Sequence, residues 1–172
     1  EPDEVVSIER RDGREDDFVV ESAATRIVAR NVVLATGCED LMPRIERLGE
    51  AVACAALRLC PVCDAYEAID RDIAIHGPVD AAASHAEFLR TYSKRVTLVP
   101  SDRSADETTR ARLRAAGIGC TEAASDVEFD GERCVFTIAG RPRAFEVVYA
   151  MFGSRQRSQL AVALGADCDE EG

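Results

Sequence analysis

Over the first three dozen residues, apolar and polar positions trade places every one or two residues, which is the period of β structure. The segments "EVVSIER" (4–10), "DFVVES" (17–22) and "TRIVAR" (25–30) are short, rich in Val and Ile, and predict three strands. Asp12 and Gly13 supply a turn between the first two. The next run, "NVVLATG" (31–37), is unbroken and β-branched, which predicts a strand buried on both faces and ending in Gly37. From Cys38 to Asp70 the periodicity is weak, and "EAVACAALRL" (50–59) fits either strand or helix.

From residue 72 the period becomes regular. "DIAIHG" (72–77) predicts a strand, "DAAASHAEFLRTYS" (80–93) a helix, "RVTLV" (95–99) a strand and "ADETTRARLRAAG" (105–117) a second helix. That second helix has an acidic first turn, arginines later and Gly117 beyond its end. Alternation of this kind predicts parallel strands with right-handed crossovers. Then "IGCTEA" (118–123), "SDVEFD" (125–130), "ERCVFTIAG" (132–140) and "RAFEVVYA" (143–150) predict short antiparallel strands. The middle two meet at an Asp130–Gly131 turn. "RSQLAVALGA" (157–166) predicts a short closing helix. The expected class is α/β: a Rossmann-like, three-layer domain with a parallel βαβ sheet and an antiparallel β-meander, preceded by a strand-rich segment.

Composition narrows the function classes. The 172 residues are 47% apolar and 31% charged, an ordinary globular balance. A net charge of -11 repels phosphate backbones and anionic headgroups, so no nucleic-acid or membrane partner is expected. No apolar run approaches the ~20 residues of a membrane helix, and the acidic start "EPDEVVSIER" is unlike a signal peptide. A chain that opens without Met and stops abruptly at "GADCDEEG" reads as an internal fragment of a longer protein. The seven cysteines, at 38, 54, 60, 63, 120, 134 and 168, are odd in number and widely spread. That suits a reducing compartment, and a cytoplasmic location is expected.

Two places carry candidate chemistry. Cys60 and Cys63, in "CPVCD", stand three apart with Arg58 before them and Asp64 directly after. Two intervening residues let the sulfurs bond, a nearby positive charge lowers a thiol's pKa, and Asp64 can exchange a proton with a thiolate or a reduced flavin. A redox dithiol, half of a zinc site and two inert thiols all remain open, although zinc normally needs a second pair at similar spacing. The other place is the turn "HGPVDAAAS" after the 72–77 strand. A dinucleotide turn needs one glycine to turn, a second for close approach to the pyrophosphate, and then a small residue. Gly77 and Ala82 fill the first and third roles, but Val79 replaces the second glycine and Pro78 removes an N–H. At the end of the next strand, Pro100 and Ser101 stand where the ribose would be read, with Asp102 and Arg103 just beyond. His76 and His85 have no partner at motif spacing and read as packed or solvent-facing, and the arginines after Gly153 read as a surface turn.

The order of "VVLATG", "CPVCD", the strand with its glycine turn and "VVYAMFGS" resembles the central part of low-molecular-weight thioredoxin reductases and their flavoprotein relatives. The resemblance implies an FAD domain interrupted by a smaller NAD(P)H domain that carries the cysteine pair. Residues 1–41 would be a remnant of the FAD-binding domain, 42–153 the NAD(P)H-binding domain, and 154–172 the return segment. Electrons would pass from NADPH or NADH through FAD to the pair, then to an external disulfide on a thioredoxin-like protein or a small molecule. Cys63 would face the flavin, Cys60 would attack the external disulfide, and Asp64 would donate and accept the proton. Gly77, Pro78, Val79, Ala82, Ser101, Asp102 and Gly153 would line the cofactor site. The parent is expected to be a homodimer. The Gly-rich FAD fingerprint and the closing Gly-Asp segment are missing, so this chain is expected not to hold FAD and to be inactive alone. "PSDR" stands where the family has His-Arg-Arg, which removes support for an NADPH preference. The competing expectation is a degenerate Rossmann-like binding or scaffold module.

Overall fold

The computed structural model describes residues 3–11 and 14–169, with the side chains of 14–16 left aside. The described chain forms two compact units, residues 1–39 with 154–172 and residues 40–153. In the first unit the alternating segments become a three-stranded antiparallel sheet of β1 (Val5–Arg11), β2 (Arg14–Ser22) and β3 (Arg26–Ala29), in that order. The Asp12–Gly13 turn lies outside the described residues. Ser22 organises the β2–β3 reversal, its Oγ accepting from the Thr25 N–H at 2.9 Å. The strand expected at 31–37 does not form. Those residues are irregular, Val33 is 88% exposed, and only Cys38–Asp40 (β4) is a strand. An apolar run becomes a strand only where a neighbouring strand takes its backbone hydrogen bonds, and among the described residues no strand pairs with 31–37; Arg157 meets its end, donating its N–H to the Gly37 carbonyl at 3.1 Å.

The second unit is built on one parallel sheet. The ambiguous segment 50–59 divides: α1 (Leu48–Ala53) ends, Ala55 turns the chain with a φ of 60°, and β5 (Leu57–Arg58) begins. The short α2 (Pro61–Asp64) follows with Pro61 at its first turn, where its missing N–H costs nothing. Then come β6 (Asp72–Gly77), α3 (Val79–Leu89), β7 (Arg95–Pro100), α4 (Glu107–Ala115) and β8 (Gly119–Cys120). α4 lies within its predicted segment with both ends trimmed, whereas α3 begins one residue before its segment and ends four residues short of it. Val79, Ala82, Ala83, Ala86 and Leu89 are buried on α3 at helical spacing. Asp106 caps α4, accepting from the Thr109 N–H at 2.7 Å, and that bond holds its carboxyl below the usual range.

The meander is smaller than the sequence suggests. Only β9 (Ala124–Phe129), β10 (Cys134–Ile138) and β11 (Arg141–Phe145) form the antiparallel sheet. The expected turn is present, with the Asp130 carboxylate accepting from the Glu132 and Arg133 N–H groups. Two expected antiparallel strands join the parallel sheet instead. β8 pairs parallel with β7, and the single run 143–150 breaks at Glu146 to give β12 (Val147–Ala150) between β5 and β6. Glu146 makes the switch by bonding Asp72 twice, through its N–H at 3.0 Å and its carboxylate at 2.7 Å. Alternation fixes which residues face the core; strand direction follows from which sheet the segment joins.

The parallel order is β5-β12-β6-β7-β8. Ile73, Ile75, Val96, Leu98 and Tyr149 pack with α3 and α4 on one face; Ala74, Val99 and Val148 pack with Phe129, Phe136 and Phe145 of the meander on the other. Each of these large side chains contributes about 1.5–3 kcal/mol by leaving water. The chain returns to the first unit through β13 (Ser154–Gln156), which pairs with β4, and α5 (Gln159–Ala163).

Candidate active site

Because β5, β12, β6 and β7 are parallel, their C-terminal ends share one edge of the sheet. That edge is where open α/β sheets bind ligands. Cys60 follows β5, Gly77 closes β6, Ser101 follows β7 and Gly153 lies three residues past β12, so these four fall on or just beyond this edge, while Val79 and Ala82 lie within α3.

Cys60 and Cys63 are joined in a disulfide, with Cα atoms 5.3 Å apart. Cys60 is the residue before α2, and the Cys63 N–H donates to its carbonyl at 3.0 Å, so one tight turn fixes the pair. Cys63 is exposed and Cys60 half-buried, with Val62 and Tyr66 projecting into solvent beside them. The other five cysteines are free thiols. Among the described residues no group of three or more His, Cys, Asp or Glu is arranged to hold a metal.

Asp64 is held from the strands beneath it. The Tyr149 hydroxyl donates to Asp64 Oδ1 at 2.7 Å, while Arg58 Nη1 lies 3.5 Å from Oδ2 and donates to the Asp64 carbonyl at 3.1 Å. Arg58 also pairs with Glu67 at 3.1 Å and donates from Nε to the Ala55 carbonyl. Its hydrogen bonds therefore go to the loop's carboxylates and carbonyls, a different use from the thiol-activating charge the sequence suggests. Tyr149 is fully buried, the Arg58 side chain is 9% exposed, and that of Asp64 is 30% exposed. Burial and then the neighbouring Asp64 push the Tyr149 phenol well above its ordinary value, so it stays a donor. A charge-assisted bond of this kind contributes about 1.5–3 kcal/mol. Sequence reasoning missed Tyr149. Its signal was a polar tip inside the apolar "VVYAM", since a buried tyrosine hydroxyl needs a partner.

The nominated nucleotide turn has a different construction from a phosphate cradle. A Cβ on Gly77 would run into the Met151 carbonyl, so this glycine serves the close packing of β6 against the chain leaving β12. Val79 is 1% exposed and Ala82 fully buried, both packed inward from α3. Pro78 precedes α3 without an N–H to offer. The Ser101 N–H donates to the Gly77 carbonyl at 3.0 Å, joining the two loops. Beyond the exposed Asp102, Arg103 reaches back to Asp80 in the first turn of α3 at 3.0 Å. A pyrophosphate held on glycines does not fit these residues. Gly153 adopts a φ of 84°, which turns the chain into β13. A cleft of about 330 Å³ opens nearby, lined by Arg44, His76, Ser101, Asp126 and Phe152 among others. Of the two expected alternatives, packed or solvent-facing, His76 takes the packed one, with Nδ1 2.9 Å from the Val99 carbonyl and its ring edge-on to Phe136 and Phe152. Burial lowers its pKa.

FAD needs a Gly-rich turn leading into a helix. In the first unit the described helix is α5, five residues long and preceded by Ser158. These residues do not fit a flavin dinucleotide.

No family model matches the chain. It is 32% identical over 98 residues to a thioredoxin reductase of Streptomyces clavuligerus, and 31% identical over 102 residues to one of Streptomyces coelicolor. Each match covers 57% of this chain and 30% of the relative. Among solved structures, HlmI superimposes with a TM-score of 0.84 at 27% identity, over 99% of this chain and 55% of that one. Thioredoxin reductase from Streptococcus pyogenes superimposes with a TM-score of 0.79 at 22% identity, over 99% of this chain and 58% of that one. The chain thus spans little more than half the length of these structures and matches less than a third of the curated relatives.

Proposed function

From a chain that is a homologue of the thioredoxin reductases and carries part of their fold, we propose that this is the disulfide-bearing portion of an NAD(P)H-dependent disulfide oxidoreductase. The observation that carries the reading is the Cys60–Cys63 disulfide with Asp64 beside it, at the C-terminal edge of a parallel sheet. In the whole protein NADH or NADPH, acting through FAD, would supply the electrons, with residues 42–153 as the nucleotide domain and 1–41 and 154–172 as parts of the flavin domain. The chain alone is inactive on this reading, because the described residues of the first unit do not fit a flavin dinucleotide.

The chain's own residues perform the final exchange. With the pair reduced, Asp64 takes the proton of a thiol and the Cys60 thiolate attacks one sulfur of the external disulfide. That bond breaks, a mixed disulfide forms, and the displaced thiolate takes up a proton. Cys63 then attacks the Cys60 sulfur of the mixed disulfide and displaces the remaining external sulfur, which restores the Cys60–Cys63 bond and releases the second thiol once that sulfur takes up the remaining proton. Two electrons leave the pair and one external disulfide becomes two thiols. A thioredoxin-like protein or a small disulfide is the partner, the parent is a homodimer, and the cytoplasm is the compartment. Five free cysteines beside one disulfide support a reducing setting, and among the described residues no helix is long and apolar enough to cross a membrane.

Redox titration of the chain against glutathione, with thiols counted by alkylation, tests this reading. Cys60 and Cys63 should convert together in one two-electron step that Cys60→Ser or Cys63→Ser abolishes. Two independent, slowly reacting thiols refute it. The packing of Gly77 and Val79 favours a second reading, a Rossmann-like binding or scaffold module without turnover. In that case the pair resists exchange while the fold stays intact.

A further inference from the structure

Tyr149 and Arg58 are register partners across the β12–β5 pair, so their side chains stand next to each other on one face of the sheet. Both converge on one carboxylate, which belongs to the residue directly after the disulfide. Tyr149 reaches Oδ1, Arg58 Nη1 reaches Oδ2 and the Asp64 carbonyl, and Glu67 pairs with the same Nη1. Ala65 and Ala68, on the turn that follows, pack in the same buried cluster as Tyr149. The cysteine loop is therefore fastened to the rigid sheet chiefly through Asp64.

We propose that Tyr149 and Arg58 are positioning residues that lock the Asp64 carboxylate beside the cysteine pair, with Tyr149 setting the orientation in which it accepts a thiol proton. This rests on Asp64 being the proton acceptor of the reduced pair. Two buried partners fix both carboxylate oxygens, so the carboxylate spends little time in unproductive rotamers. The phenol cannot substitute as a base, because burial and Asp64 keep it protonated. Its role runs entirely through Asp64.

The test uses the full chain with the pair reduced, free small-molecule thiol removed, and hydroxyethyl disulfide as oxidant. The rate of formation of the Cys60–Cys63 bond is followed from about pH 5.5 to 9.5, bracketing the ordinary thiol pKa of ~8.5. Asp64→Asn, Tyr149→Phe and their combination are compared with the parent sequence. Tyr149→Phe keeps the packed ring, and near-ultraviolet circular dichroism verifies the fold of each variant. Each single variant should be about tenfold slower below the thiol pKa and converge on the parent rate above it, where solvent supplies the thiolate. The double variant should be no slower than Asp64→Asn. If Asp64→Asn slows exchange but Tyr149→Phe does not, or their effects multiply, the positioning role is overturned and the proposed function stands. If Asp64→Asn exchanges at the parent rate throughout, the acid–base reading of Asp64 fails and the positioning role falls with it.

Discussion

Gly77→Ala separates a packing glycine from a ligand-binding one. The added Cβ would overlap the Met151 carbonyl, and that backbone is held by the Met151 N–H donating to the His76 carbonyl at 2.7 Å. Strain of this kind costs about 1–3 kcal/mol, and weakening one buried backbone hydrogen bond adds about 1 kcal/mol. A net loss near 3 kcal/mol, at roughly 4 °C per kcal/mol for a domain of this size, lowers Tm on the order of 12 °C. Thermal unfolding without any nucleotide measures it. A Tm unchanged within about 2 °C, together with weakened NADH or NADPH binding by calorimetry, would falsify the packing argument and return Gly77 to a cofactor role.

Three further outcomes follow from burial. Val79→Gly empties a fully packed position and removes a β-branched side chain, so stability should fall by about 2–3 kcal/mol in urea unfolding; nucleotide binding gained by this variant in calorimetry would show that the valine alone blocks the turn. His76 has a folded pKa below its unfolded value near 6.5, so the unfolded chain binds the extra proton. Its contribution to stability is complete above ~6.5 and is lost as pH falls below it, levelling off beneath the folded pKa. The urea midpoint should drop between about pH 7 and 5.5, and His76→Gln should flatten that slope; an equal slope in the variant contradicts the assignment. Cys134 is fully buried and its thiol is pushed up to about 11. Iodoacetamide at neutral pH should label exposed Cys38, Cys54 and Cys168 and spare Cys134 until urea unfolds the chain; labelling at one common rate would refute its burial.

The sequence by itself determined the parts whose signals are local. The β6–α3–β7–α4 succession and the Asp130 turn each depend on residues within a few positions of one another, so propensity and periodicity suffice. The spacing of Cys60 and Cys63 likewise fits one turn of chain, which the structure closes as a disulfide. Only the tertiary structure decided how these pieces meet. Residues 31–37 carry a strand's composition but pair with no strand among the described residues, because pairing is a property of two segments. The directions of β8 and β12, and the break at Glu146, depend on which sheet each segment joins. The meaning of Gly77 turned on Met151, 74 residues away in the chain. The surroundings of Asp64 depended on Tyr149, 85 residues away, and on the register that sets it beside Arg58. Local composition nominates a chemical group; its partners come from contacts between distant segments, which no single stretch of sequence contains.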